Sequence, residues 1–429
     1  MSSDRTARPG VQTTSTASIR PRMAGLNWAG NHRYRARRLH CPSTLDELRA
    51  IVAAAPRIRA LGTRHAFNDI ADSAELVSLE NLPRDVVVDG GTVSFGAATT
   101  YAELAVELDR AGVALHNLAS LPHTTVAGAV ATATHGSGDA DGNLATAVAG
   151  LELVTSTGDI VTVTRGDAGF DGMVVGLGAL GVVTRLTLDV EPAYQVRQRV
   201  FENLTWEALA EHFDEITAAG DSVSVFSRLG ETTEQVWVKT RVTGEPEDVR
   251  SDLFGAPAAT VDRHPIVGLD PIHATQQLGR PGPWWDRLPH FRAGFTPSAG
   301  DELQTERLVP REHAVAAIEA VRELAPAAAP LLQVCEIRTI AADRLWMSPQ
   351  YERDTVGIHF TLKPEPEAVH ELLAGFEAAL APFDARPHWA KLFRTPGRYE
   401  RLPEFLALAE RLDPRGAFRN DWFERVTRP

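Results

Sequence analysis

Arg59-Ala-Leu-Gly-Thr-Arg-His65-Ala-Phe-Asn68 and, further along, Asn117-Leu-Ala-Ser120-Leu-Pro-His-Thr-Thr-Val-Ala-Gly128-Ala-Val-Ala-Thr-Ala-Thr-His135-Gly-Ser-Gly138 are two turns of small residues, each carrying histidine. Small side chains let backbone N–H groups approach a phosphate, and converging N–H dipoles hold its charge. Taken alone, the first turn also reads as a surface turn with a chance histidine. The second is longer and more telling. It runs polar-small-small with almost no bulky side chain, a composition that suits a ligand cradle and makes a poor core helix. A Gly/Ala/Thr linker accounts poorly for Pro122 and for both histidines.

Around these turns the first 110 residues alternate helix and strand signals. Ser43 or Thr44 caps an apolar-periodic run to Ala55, which Pro56 ends. Residues 57–61 form a strand leading into the Gly62 turn. Asp89-Gly90-Gly91 makes a hairpin between residues 86–88 and 92–95. Thr100 and Glu103 open a second helix that Gly112 stops. The region 148–190 is strand-rich. Within it Gly176-Leu-Gly178-Ala-Leu-Gly181 matches G-x-G-x-x-G, but Val182-Val-Thr-Arg-Leu-Thr-Leu188 follows. That run is β-branched and alternating, a strand where the dinucleotide fingerprint needs a helix. After Pro192 the segments lengthen, and a domain boundary is placed there. The expectation is an α+β chain with four parts: a disordered tail (1–22), a first domain (23–194), a second domain (195–391), and a C-terminal return to the first (392–429).

The second domain is expected to be a sheet with helices over residues 313–324 and 365–380 on one face. Alternate side chains of a strand point the same way. Glu336 and Arg338 therefore share a face of residues 332–340, and His359 and Thr361 share one of residues 356–363. Residues 388–393 read as a third strand, with Lys391 beside Trp389 and Phe393. If the three adjoin, they make a polar floor; spacing alone equally allows a solvated face with cross-strand ion pairs.

With 43 Lys and Arg against 56 Asp and Glu, the net charge of -13 argues against a nucleic-acid partner. Cys41 and Cys335 are too few for a disulfide framework or a cysteine zinc site. No H-E-x-x-H or compact carboxylate–histidine set is visible, and the histidines are scattered, so no metal is expected. The first 22 residues lack the apolar centre of a secretion signal, and no later run is long enough to span a membrane. A cytoplasmic monomer is expected.

The two turns together resemble the FAD-binding domain of vanillyl-alcohol-oxidase-type flavoenzymes, and most closely their alditol (xylitol) oxidase branch. The resemblance runs over about residues 25 to 429. It includes Cys335-Glu-Ile-Arg-Thr339, His359-Phe-Thr361 and Arg386-Pro-His-Trp-Ala-Lys391. Trp284-Trp285, Phe295-Thr-Pro-Ser298 and Pro310-Arg-Glu-His313 also fit that branch. It implies that FAD is held by Leu61, Gly62, Thr63, Arg64, His65, Ala66, Ser120, Thr125, Gly128, Thr132, Ala133, Thr134, His135 and Val183. It further implies a single covalent bond from His65 to the flavin 8-methyl carbon, which raises the redox potential for a poor donor. Where many relatives have Gly-Gly-His-Ser, this chain has Thr63-Arg-His-Ala66, which removes a hydroxyl from the cradle.

On the substrate side the resemblance implies polyol binding by Ser120, Glu336, Arg338, Thr361 and Lys391. Arg338 and Lys391 would stabilise a C1 alkoxide, with His359 as base or relay. The implied reaction is oxidation of an alditol C1 hydroxyl to the aldose, with O2 reduced to peroxide. A sugar-1,4-lactone oxidase or dehydrogenase of the same superfamily is the nearest alternative. A flavin-binding protein without catalysis is a further one, against which stands the cost of burying unused charges.

Overall fold

Helix α1 (Leu45–Ala54) begins where Thr44 accepts the Glu47 N–H and buries Leu48 and Val52. These residues belong to a computed structural model that describes residues 24–244, 250–294 and 300–428. The tail expected over 1–22 and the motif at 295–298 lie outside the described residues. Strands β1 (Arg38–His40), β2 (Ile58–Ala60) and β3 (Glu75–Val77) make a small parallel sheet in the order β1–β3–β2. Helix α2 (Tyr101–Arg110) carries the capping box expected from Thr100 and Glu103.

A second, antiparallel sheet holds β4 (Val86–Asp89), β5 (Thr92–Gly96), β6 (Val148–Val154), β7 (Ile160–Thr164) and β8 (Val182–Asp189), in the order β4–β5–β8–β6–β7. The G-x-G-x-x-G match runs directly into β8, a strand, so its glycines serve another purpose. Gly178 sits at φ 67, and a Cβ there would lie 2.5 Å from Arg59 Nη1. The buried Arg59 donates through that nitrogen to Leu177 O at 2.5 Å. The glycine turn is thus shaped around an arginine.

The third sheet is antiparallel throughout. It comprises β9 (Gln195–Glu202), β10 (Ser222–Ser227), β11 (Gln235–Arg241), β12 (Gly282–Pro283), β13 (Leu303–Pro310), β14 (Leu332–Ile340), β15 (Thr355–Leu362) and β16 (Arg386–Pro387). Their order is β12–β9–β11–β10–β14–β15–β13–β16. Helices α4 (Ala314–Arg322) and α5 (Pro366–Leu380) cover one face, where Ile318, Val321, Leu372 and Phe376 pack on Ile358, Phe360 and Leu362. Burial of this apolar layer stabilises the domain by roughly 25 cal/mol per Å² removed from water. β15 is buried along its whole length, so its opposite face is covered as well. Among the described residues no helix is long and apolar enough to cross a membrane.

Two readings of the second domain need correction. β13 pairs between β15 and the edge strand β16, although no strand was expected there. Residues 388–393 do not form a strand: pairing ends at Pro387, and the Lys391 N–H donates to His388 O at 3.0 Å to close a turn. The turn is seated by Trp389, whose indole N–H donates to Met347 O at 2.7 Å and whose ring stacks on Tyr399 and meets Trp422 edge-on. The chain rejoins β13 where the Leu392 N–H donates to Gln304 O at 2.9 Å. Lys391 and Trp389 therefore point to different neighbours.

The last residues pack on the N-terminal layer. Asn420 caps α6 (Asp421–Thr427), accepting from the Phe423 N–H and from Arg59 Nη2. Its amide donates to the carbonyls of Asp69, Ile70 and Asp72. The Ile58 N–H, at the edge of the small sheet, donates to Ala417 O at 2.8 Å.

Candidate active site

Both turns and the face of the large sheet turned away from α4 and α5 line one cavity of about 1040 Å³. That is at the upper end of the ~300–1,000 Å³ usual for ligand sites. Leu61 to Ala66 all line it, as do Ser120, Thr125, Gly128, Thr132, Thr134, His135 and Val183. Ala133 does not; its methyl is in the core.

The turns touch each other through Thr125. A Cβ on Gly62 would lie 2.6 Å from Thr125 Oγ1, and one on Gly128 would lie 2.9 Å away. Arg64 (φ 65) and Ala133 (φ 51) hold left-handed backbone, which costs a non-glycine residue on the order of 1–3 kcal/mol and accumulates where function requires it. Thr125 is the N-cap of α3 (Val126–Ala131) yet makes no side-chain cap bond. The Val126 N–H donates to Thr99 O at 3.0 Å, which leaves the N–H groups of the cavity-lining Ala127 and Gly128 to a ligand. Beside it, Thr124 Oγ1 is buried without a partner. This cradle fits the pyrophosphate of a flavin dinucleotide. The His65 ring lies 4.8 Å from Trp28 and 4.4 Å from His123. Burial, helped by His123, pulls its pKa down to about 3, so the imidazole is neutral.

On the opposite wall the expected floor residues come together. Arg338 Nε lies 3.4 Å from Glu336 Oε1, and His359 Nε2 lies 2.9 Å from Thr361 Oγ1. The Lys391 ammonium lies 2.8 Å from His359 Nδ1. It arrives from the 388–391 turn rather than from a strand. A donating Lys391 requires His359 to accept at Nδ1, so its proton is at Nε2 and is donated to Thr361. Burial and the Lys391 charge draw His359 down to about 3. Burial also lowers Lys391, against the pull of Glu306. Glu336 is pushed up by burial, but Arg338 and His290 more than reverse this, and it stays ionised.

Sequence reasoning missed three residues here. Glu306, wholly buried on β13, is paired with Lys391 at 2.5 Å and with Arg338 at 2.9 Å. His290 is 2.8 Å from Glu336 and contacts Lys239 behind it. His388 lines the cavity beside His135. The expectation of scattered histidines is also corrected, since His135, Glu306 and His388 bring ligand-type atoms within 4.8 Å of one another. Lys391 and Arg338, however, already take one oxygen each of that carboxylate. Two cations at the same carboxylate oppose a metal ion there.

Comparison with known proteins agrees with this geometry. Residues 36–164 match the family described as FAD binding domain, and residues 302–426 match D-arabinono-1,4-lactone oxidase. The chain is 47% identical over 409 residues to the alditol oxidase of a Streptomyces species, covering 92% of this chain and 97% of that one. It is 26% identical to L-gulono-1,4-lactone dehydrogenase of Mycobacterium tuberculosis, covering 94% and 99%. In fold it is similar to the cholesterol oxidase of B. sterolicum, with a TM-score of 0.77 at 15% identity, covering 94% of this chain and 96% of that one. With a flavin cradle facing a buried charged floor, and with that degree of identity along nearly its whole length, the chain belongs to the alditol oxidase branch of the vanillyl-alcohol-oxidase-type FAD flavoproteins.

Proposed function

We propose that this oxidoreductase converts the C1 hydroxyl of alditols such as xylitol and sorbitol to the aldose, with O2 reduced to hydrogen peroxide. The observation that carries the reading is the convergence of Glu336, Arg338, His359, Thr361 and Lys391 on the wall that faces the flavin cradle. FAD held in the cradle, with His65 as its covalent anchor, would supply the hydride acceptor and the route to oxygen.

The chain's own groups bind and handle the proton. Glu336, ionised, accepts hydrogen bonds from substrate hydroxyls. Thr361, which accepts from His359, turns its own O–H to the polyol, and Ser120 meets it from the cradle side. Lys391 meets the reacting hydroxyl. Glu306 and His359 engage two positions of its nitrogen and leave the third for C1. As the free amine, Lys391 accepts the hydroxyl proton; as ammonium, it stabilises the alkoxide together with Arg338. The neutral imidazole of His65 is a competent nucleophile for the tether. A cytoplasmic monomer is the proposed setting; Cys41 and Cys335 are not joined in a disulfide, which suits a reducing compartment.

The match of residues 302–426 to a lactone oxidase family favours one second reading, oxidation of a sugar-1,4-lactone. Peroxide release with xylitol, sorbitol and L-gulono-1,4-lactone decides between them. Turnover of the two alditols and not of the lactone is expected; the reverse preference overturns the proposal.

A further inference from the structure

Glu306 is the best-connected ionisable group in the cavity and is absent from the sequence-based candidates. Its side chain is fully buried, yet it lines the cavity. Charged and titratable groups face it from every neighbouring element: Arg338 and Glu336 on β14, His359 on β15, His388 and Lys391 in the turn after β16, and His135 in the cradle. Oε2 accepts from Lys391 at 2.5 Å and lies 3.8 Å from His359 Nδ1. Oε1 accepts from Arg338 Nη2 at 2.9 Å and lies 3.3 Å from His135 Nε2.

The sheet is shaped to allow this. Glu306 is directly opposite His359, and Arg338 is opposite Gly357 on the same strand. A Cβ at Gly357 would lie 2.9 Å from Glu306 Oε1. Only glycine leaves the gap over β15 through which Arg338 and Glu306 meet. Both cations that reach the carboxylate also line the cavity, which an ion pair serving the fold alone does not require.

We propose that Glu306 is a positioning residue: its carboxylate clamps Lys391 and Arg338 together at the point where the substrate's C1 oxygen sits. The inference rests on the alcohol-oxidation reading above. One oxygen is assigned to each cation, so a single anion fixes both their separation and their direction. Glu306 also favours the protonated form of Lys391, while Glu302, just before β13, lies within reach of the same charge.

The test compares wild type, Glu306→Gln and Glu306→Asp as flavin-loaded enzymes, with xylitol as substrate. Flavin absorbance and thermal melting are read beside kcat and KM across the pH range of activity. Glu306→Gln is expected to keep its flavin and hold KM within about threefold, while kcat falls by about 100-fold. The pH limb governed by Lys391 should move to lower pH, because the anion favouring the ammonium is gone. Glu306→Asp keeps the charge and shortens the reach. It should leave that limb in place with a smaller loss of kcat. A Glu306→Gln enzyme with near-normal kcat and an unmoved limb overturns the proposal, as does an Asp variant whose limb moves as far as that of Gln. If Glu306→Gln fails to fold, Gly357→Ala, whose Cβ displaces Oε1, carries the same readouts, and a kcat left near normal overturns the proposal. Absence of xylitol and sorbitol turnover in the wild type refutes the alcohol reading itself, and is seen before any variant is made.

Discussion

Lys391→Met keeps all but the last atom of the side chain's length and removes its charge. The ammonium lies 2.5 Å from Glu306 Oε2 and 2.8 Å from His359 Nδ1. At an effective dielectric of about 20, two unit charges ~2.5 Å apart attract by roughly 7 kcal/mol, much of it offset by their desolvation. Removing one partner of a buried pair costs about 3–5 kcal/mol. Arg338 remains 2.9 Å from Glu306, so the anion keeps a counter-ion and the cost belongs at the lower end, about 3 kcal/mol. For 429 residues, unfolding entropy of roughly 2.1 cal/mol/K per residue gives about 0.9 kcal/mol/K, so Tm should fall by only about 3 °C. Loss of the group at the reacting oxygen should lower kcat by about 10²–10³. The expected enzyme is folded, yellow and slow. Peroxide release at saturating sorbitol, with melting and flavin absorbance measured on the same sample, checks all three. A kcat within about threefold of wild type removes Lys391 from the chemistry. A Tm loss of about 10 °C or more shows that the lysine holds the fold instead.

Two further outcomes follow from the neutral histidines. Acid precipitation of the wild type should leave the yellow colour in the pellet, and His65→Ala should release it to the supernatant while still binding flavin; colour retained in the His65→Ala pellet removes the tether from His65. Stability should also fall with acidity. Burial draws His359 to about 3 and His290 to about 4, whereas the unfolded chain protonates these histidines near 6.5. Between those values the unfolded state binds more protons, so stability rises with pH and is lost as pH drops from about 6.5 toward 4. Glu306 and Glu336, which their cations hold ionised against burial, add a loss of the same sign below about 4.5. A melting temperature that is flat over that range contradicts this account.

Local patterns made much of this legible. Period-two alternation was enough to put Glu336 with Arg338 and His359 with Thr361, because β14 and β15 pair in unbroken register from Val334 to Ile340. The capped helices and the strand after Gly181 were equally readable. Lys391 was reachable only through the family motif, and the strand assigned to it was wrong. Trp389 anchors that segment in the other domain's core, a tertiary effect that no local pattern records. Glu306 was invisible for a different reason. β13 buries a charge on each face, Glu306 toward the cavity and Arg307 toward Glu377 of α5, so Thr305-Glu-Arg307 reads as exposed and polar. The clustering of His135 with His388 joins residues from two domains, and sequence carries no sign of it.

Burying this many ionisable groups is tolerable only because their charges balance. Glu306 and Glu336 face Arg338 and Lys391, two anions against two cations. Burial keeps His359, His290 and His388 neutral around them. Lys239, set behind His290, is drawn down by burial to about 7. Unpaired charge in such a place costs several kcal/mol. The site should therefore select for a substrate that brings no charge of its own, and a polyol meets that condition at both ends. A sugar acid does not, since its carboxylate must either displace Glu306 from the cations or lie beside Glu336. Gluconate should accordingly be a poor competitor of sorbitol oxidation. Inhibition by gluconate about tenfold tighter than the KM for sorbitol, worth roughly 1.4 kcal/mol, would show a net positive site and refute the balance argued here.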